Sequence, residues 1–388
     1  MKRKITKLLI GALSVCTLLA GCTTKGSKNS ASNNNFNNTS TNSESLTKYE
    51  NVSSDVGFDT IYSYMEYTTN TESAAAHFKD STTLLRYYNQ LFDIYNDYDG
   101  INNLKTVNDN AGIKPIKVDK PIIDMLHMAK QFYDYSNGEF DITMGALLKV
   151  WHKYREEGIK LNAEKQLGNL PPEEELTQAA GCKGWDNVVI NDEESTVYIT
   201  QPCQSFDVGG IAKGYATELV AEEVGQHMQA GYFNVGRNIR TVNDKPDGST
   251  WNVGIADPEG ALPNGLALIS SKGSFSFVTS GDYERFYIAT DGNSYHHIID
   301  PSTNYPATHY HSVTIFTEDS GVADCLSTTL FTLSIEDGKK VLEAYKKATG
   351  KEANAVWVMD PAKKQGDGKE TNGYYVVASE GLKDIITY

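Results

Sequence analysis

Positive charge is scarce in this 388-residue chain: Lys and Arg number 35 against 50 Asp and Glu, for a formal net charge of −15. A nucleic-acid surface needs clustered Lys and Arg, so that class of partner is excluded on electrostatic grounds. For the same reason the body of the chain is a poor ligand for anionic lipid. Cysteine is sparse too, with five in all. Past Cys16 and Cys22 only Cys182, Cys203 and Cys325 are left, and three cannot all pair, so no disulfide framework carries the fold. One bridge fits, with Cys182–Cys203 the foremost pairing. Beyond the first residues no run is long and apolar enough to cross a bilayer. No internal repeat is visible, and composition marks no boundary between two folded domains.

What is present begins with Lys2, Arg3, Lys4 and Lys7, then an apolar run from Leu8 to Ala20. That is the length of a secretory signal, too short for a stable span. The run ends in Leu19-Ala20-Gly21-Cys22, the lipobox pattern at which bacterial lipoproteins are cleaved and the cysteine is lipidated. The expected organisation is a signal peptide over 1–21, then lipidated Cys22 with a flexible Ser/Asn/Thr-rich spacer over 22–50. A single domain over 51–388 follows, and lipid on Cys22 would hold it outside the cytoplasm on the cell membrane.

Within that domain the residues from Phe58 to Met65 alternate like a strand. Helical spacing of apolar residues predicts helices over 82–95 and 120–135, a short one running into Trp151, and one from Ile211 onward. After that the pattern turns mostly to short strands, among them 232–235, 251–256, 267–271, 276–279, 286–289, 297–299 and 313–316. Helices over 323–333 and 338–347 and strands near 355–359 and 374–377 close the chain. Helices followed by many short strands on hairpin-length loops predict an α+β domain with a largely antiparallel sheet and packed helices.

Five stretches carry chemistry. In Asp207-Val208-Gly209-Gly210-Ile211-Ala212-Lys213-Gly214-Tyr215 a glycine pair opens a helix, whose free N–H groups and Lys213 suit an anion. It is not a P-loop, which needs two glycines flanking four residues and then Lys-Ser/Thr. Taken alone, it reads as readily as an ordinary strand-to-helix turn. Asn234-Val235-Gly236-Arg237 turns on glycine, and Ser280-Gly281-Asp282-Tyr283-Glu284-Arg285 alternates in charge. His296-His297-Ile298-Ile299-Asp300-Pro301 ends a strand in two ionisable types. In Ala323-Asp324-Cys325-Leu326-Ser327-Thr328, Asp324, Ser327 and Thr328 fall on one side of a helix. That oxygen-only set suits a hard cation such as Mg2+, although the same residue types also cap helix N-termini. Zinc, for which His297, His309 and His311 would be needed, is the weaker metal reading.

Together and in this order the motifs resemble the ApbE family, the exported FAD:protein FMN transferases. Those that carry the resemblance are Asp207–Tyr215, Thr279–Arg285, His297-Ile-Ile-Asp-Pro301 and Ala323–Thr328, joined by Phe140-Asp141-Ile142-Thr143 and the Tyr98–Asn108 loop. The resemblance implies a T-fold-like α+β domain that uses Mg2+ and takes FAD as substrate. It also implies an activity: the FMN half of FAD moves onto a Thr or Ser hydroxyl of an exported flavoprotein, and AMP is released. It assigns metal ligation to Gly210, Asp324 and Thr328, with Ser327 beside them. FAD contacts fall to Phe58, Tyr98, Phe140, Asp141, Ile142, Asp207, Lys213 and Ile298. His297 is the first choice of proton acceptor, with Asp282 and Asp300 as rivals. An FAD pyrophosphatase and a flavin-binding lipoprotein without turnover are the competing functions; a transporter's solute-binding lipoprotein is a more distant one. One departure stands out: Gly236-Arg237 occupies the place of the family's usual Gly-Gly, where an arginine would either obstruct the ligand or add a phosphate contact.

Overall fold

The computed structural model describes residues 46–263 and 265–388. The signal peptide, Cys22 and most of the expected spacer lie outside the described residues. Among those described, no helix is long and apolar enough to cross a membrane. Eight α-helices appear in chain order: α1 Thr71–Phe92, α2 Leu104–Asp109, α3 Lys120–Tyr135, α4 Gly145–Ala163, α5 Glu173–Ala180, α6 Ala212–Gly225, α7 Ser320–Thr332 and α8 Ile335–Thr349.

A nine-stranded sheet organises the domain. Its spatial order is Thr47–Ser53, Tyr62–Thr68, Ala230–Val235, Asn238–Val242, Ser276–Gly281, Ser312–Thr317, Asn354–Met359, Tyr374–Ala378 and Lys369–Thr371. Every pairing between these neighbours is antiparallel. The strand Asn354–Met359 explains why both faces need cover. Its period of two sends Ala355, Trp357 and Met359 into the core beneath the helices, and Val356 and Val358 into a second core on the opposite face. On that far side a three-stranded sheet, built from Trp251–Ile255, Ala267–Ser271 and Ile386–Thr387, closes over Met65, Phe277 and Trp251. On the near side α6 and α7 lie on the sheet, with α1 against α6.

The largely antiparallel α+β architecture is therefore as expected, with local differences. Ordered structure begins earlier: the strand Thr47–Ser53 crosses the boundary drawn at residue 50. The alternation from Phe58 is not a strand at its start, because Gly57, Phe58 and Asp59 all take positive φ (81°, 56° and 49°) and the strand begins at Tyr62. α1 starts at Thr71, where Asn70 accepts N–H bonds from Glu72 and Ser73. Its first turns are Ala-rich and polar, so apolar spacing does not reveal them. α4 continues past Trp151 to Ala163. His297 lies between two short strands, Ser294–His296 and Ile299–Asp300, rather than within one. Among the described residues the one disulfide is Cys182–Cys203, and Cys325 is free and buried.

Candidate active site

Helices α6 and α7 pack closely against each other at Gly214. A Cβ placed on Gly214 would lie 2.2 Å from the Ser320 carbonyl oxygen and 2.5 Å from Asp324 Cβ, so only glycine permits the contact. That contact lets the Gly214 N–H, one of the unpaired donors in the first turn of α6, donate to Asp324 Oδ2 at 2.8 Å. Asp324 thus caps α6 from the neighbouring helix and does not cap its own; α7 is capped by Asp319. Four residues on from Asp324, Thr328 shares its face of α7, and a Cβ on Gly210 would meet Thr328 Oγ1 at 3.0 Å and Phe140 at 3.2 Å. Gly210, Asp324 and Thr328 all line one cleft of about 810 Å3. A backbone carbonyl, a carboxylate and a hydroxyl form a hard-oxygen donor set that fits a Mg2+ ion, and the glycine keeps the space between them clear. Ser327 is turned away. It meets Ser280 Oγ at 2.8 Å and donates to the Asp324 carbonyl at 3.0 Å, so its hydroxyl is spent on the sheet.

The other wall follows from the segment that leads into α6. Asp207 Oδ1 accepts the Gly209 N–H at 2.9 Å, and the Asp207 N–H donates to Ile142 O at 2.8 Å. The two motifs are therefore stitched side by side. Asn108 fixes the approach by bonding both the N–H and the carbonyl of Phe206. Burial pushes the Asp207 carboxyl up from its ordinary value, against the pull of the Gly209 N–H and of Arg155. Asp141 is buried and likewise pushed up, while its Oδ1 accepts from both the N–H and the hydroxyl of Thr143. Phe58, Tyr98, Phe140, Asp141, Ile142, Asp207, Lys213 and Ile298 all line the same cleft. Phe58 is seated by its N–H on Asn89 Oδ1 at 2.7 Å, and Tyr98 by its hydroxyl on Asp93 at 2.7 Å.

His297 lines the cleft as well, and its Nδ1 is buried without a hydrogen-bond partner. Burial, followed by the neighbouring His296 and then by Arg155, Arg285 and Lys213, holds the imidazole well below its ordinary value, so the ring is neutral. His296 beside it has a different task. Its Nε2–H donates to Ala307 O at 2.7 Å and its Nδ1 accepts the Ile298 N–H at 3.2 Å, which fixes the backbone that presents Ile298. The two rival carboxylates do not line the cleft. Asp282 is bonded to His311 Nδ1 at 2.9 Å. Asp300 is turned inward as a turn cap, accepting from the N–H and hydroxyl of Ser302 at 2.7 and 2.6 Å. Both are held by hydrogen bonds outside the cleft lining, so of the three candidates His297 alone faces the cleft.

Arg237 has φ of 72°, the left-handed region that Gly occupies freely. Its guanidinium is drawn to the rim by Glu284 at 2.8 Å and lies over the Tyr283 ring, 5.4 Å from the centroid. His152 and Arg155, three residues apart on one face of α4, also line the cleft. Their spacing marks that face only once the helix is carried past Trp151.

The ApbE family's sequence profile matches residues 58–350. A FAD:protein FMN transferase of Treponema pallidum is 32% identical over 257 residues, spanning 62% of this chain and 68% of the relative. One of Klebsiella pneumoniae is 29% identical over 257 residues, spanning 64% and 75%. Among solved structures, the ApbE protein of Thermotoga maritima superposes with a TM-score of 0.68 at 28% identity, covering 87% of this chain and 99% of its own. The flavin transferase ApbE of Vibrio cholerae, at 21% identity and a TM-score of 0.67, shares the fold over 88% of this chain and all of its own. With the profile match spanning most of its length, the chain belongs to the ApbE family.

Proposed function

We propose that this protein is a Mg2+-dependent flavin transferase that moves the FMN half of FAD onto a Thr or Ser hydroxyl of an exported flavoprotein and releases AMP. Flavin transfer is the activity in the names of its relatives. The observation that carries the reading is the convergence, on one cleft, of an all-oxygen donor set (Gly210, Asp324, Thr328) with Lys213, Asp207 and a neutral His297. Bound Mg2+ supplies charge neutralisation on the phosphate oxygens. The protein's own groups do the rest. Lys213 and the N-terminal turn of α6 attract the diphosphate. Phe58, Tyr98, Phe140 and Ile298 offer apolar and aromatic surface to the flavin.

In the reaction the acceptor hydroxyl oxygen bonds to the flavin-side phosphorus while that phosphorus loses its bond to the bridging oxygen. The bridging oxygen leaves with AMP, and the hydroxyl proton goes to the neutral imidazole of His297. His297 is a weak base while it is buried beside Arg155, Arg285 and Lys213. A diphosphate brought beside it returns negative charge and raises its proton affinity where the proton is released. A lipid on Cys22 would place this chemistry at the outer face of the cell membrane, a location supported by the Cys182–Cys203 disulfide, since such bridges persist in oxidising compartments.

The test is AMP release from FAD and Mg2+, followed with and without an acceptor flavoprotein. Release that requires the acceptor is expected. Equal release without it would replace transfer by FAD hydrolysis, and bound, intact FAD in both cases would leave a carrier.

A further inference from the structure

Arg155 is the least compensated buried charge near the cleft. It is only 7% exposed, and its Nε is buried without a hydrogen-bond partner. The guanidinium donates to His152 Nδ1 at 2.9 Å, a neutral acceptor that leaves the charge unbalanced. Among the described residues the only carboxylate within ion-pair distance is Glu156, at 3.9 Å from Nε, and Asp207, beyond that distance, is the other carboxylate near enough to feel its charge. A buried guanidinium so poorly matched is costly, and a bound anion would offset that cost.

The surroundings sharpen what that anion is. Arg285 also lines the cleft and reaches its nearest carboxylate, Asp59, only at 3.9 Å. Lys213 lines the same cleft and has no ion pair among the described residues. These three cations are close enough to His297 to disfavour its protonated form together. In a chain of net charge −15, three cations with weak or no carboxylate partners thus face one cleft. Directed against the overall charge, such a grouping marks an anionic ligand. Arg155 is held in place for it: α4 is pinned beside the Asp207 segment by the Gly145 N–H on Ser205 O at 2.9 Å, and His152 packs against the tilted ring of Tyr95 with centroids 5.3 Å apart.

We propose that Arg155, with Arg285 beside it, is a second anion-binding element of the site that grips the diphosphate of FAD from the α4 side, opposite α7. The inference rests on the flavin-transfer reading for the identity of the ligand. Arg155 takes no proton and breaks no bond. It binds non-bridging oxygens through a planar fork that lysine cannot reproduce.

The experiment is FAD binding by flavin fluorescence in EDTA, so that FAD stays intact, with the wild-type protein, Arg155→Met and Arg155→Lys, alongside thermal melts of each without ligand. Arg155→Met is expected to weaken FAD binding by about ten- to a hundred-fold, the loss of charged hydrogen bonds. Its melting temperature without FAD should be unchanged or raised, because an uncompensated buried charge has gone. Arg155→Lys should fall between the two in affinity. Unchanged FAD affinity in Arg155→Met overturns the inference. So does a melting temperature that drops together with affinity, including failure to fold, since Arg155 would then be structural. If the wild-type protein binds no FAD, whether in EDTA or with Mg2+ added, the flavin-transfer reading fails first, a result distinct from either. If only Mg2+ restores binding, the same three proteins are compared with Mg2+ present.

Discussion

Asp324 joins two demands in one side chain. Through Oδ2 it caps α6 by way of Gly214, and it belongs to the donor set expected for Mg2+. The two can be separated. In Asp324→Asn the amide oxygen still accepts the Gly214 N–H, so stability should change by less than about 1 kcal/mol, the usual worth of a cap. Metal-dependent AMP release should be abolished, because the negative charge that holds the ion has gone. Denaturant unfolding and an AMP assay on the same sample check both halves. Full activity in the variant would remove Asp324 from the metal site.

His297 gives a pH signature whose sign follows from its burial. Its proton affinity is lowered in the folded state relative to the ordinary 6.5, so below about pH 6.5 the unfolded chain takes up a proton that the folded chain refuses. Stability is unaffected above that range and falls as pH drops through it. His152 and His296 are shifted the same way by burial. Replacing His297 with Asn should make the loss of melting temperature between pH 7 and pH 5 shallower; an unchanged slope would mean that His297 does not carry the effect. Arg237 offers a simpler test. Because Glu284 and Tyr283 hold its guanidinium at the rim, Arg237→Gly should leave FAD affinity within about threefold, as for loss of an exposed ion pair. A large gain in affinity would mean that the arginine obstructs the ligand.

At the scale of elements, the α6–α7 contact is what brings the halves of the site together, and Gly214 is its condition. Gly214→Ala would drive a methyl group against the Ser320 carbonyl, a backbone atom that cannot step aside. The helices must separate, at about 1–3 kcal/mol for an overpacked contact. Activity should fall further than stability, since Asp324 then moves away from α6; a variant with wild-type activity and melting temperature would show that the contact is not required. Most of this arrangement was legible in the sequence. Apolar periodicity located α3, α6, α7 and α8, and the motifs named Gly210, Lys213, His297, Asp324 and Thr328, which meet at one cleft. Local signals failed where function and tertiary context outweigh propensity. Phe58 and Asp59 sit in a left-handed turn inside an alternating pattern. Ser327 is one residue from Thr328 yet bonds the sheet, because a step of one around a helix changes the face. Arg155 lay beyond a helix end placed too early, and no spacing rule reveals that a surface-type residue is buried.

For the whole molecule, the charge distribution and the two-faced sheet act together. The sheet is buried on both sides, so the helices of the near layer are rigidly seated and the cleft between α4, α6 and α7 is preformed. Around it the acidic surface leaves the cleft as the place where Lys213, Arg155 and Arg285 draw an anion in. The expected leader and Cys22 would add only location. The central claim is that this cleft transfers FMN rather than merely binding or hydrolysing FAD. The most direct measurement is the intact mass of an acceptor flavoprotein after incubation with the protein, FAD and Mg2+. The account predicts a gain of one FMN less water on a single Thr or Ser, absent with Asp324→Asn. An acceptor of unchanged mass, while the wild-type protein consumes FAD, would contradict it.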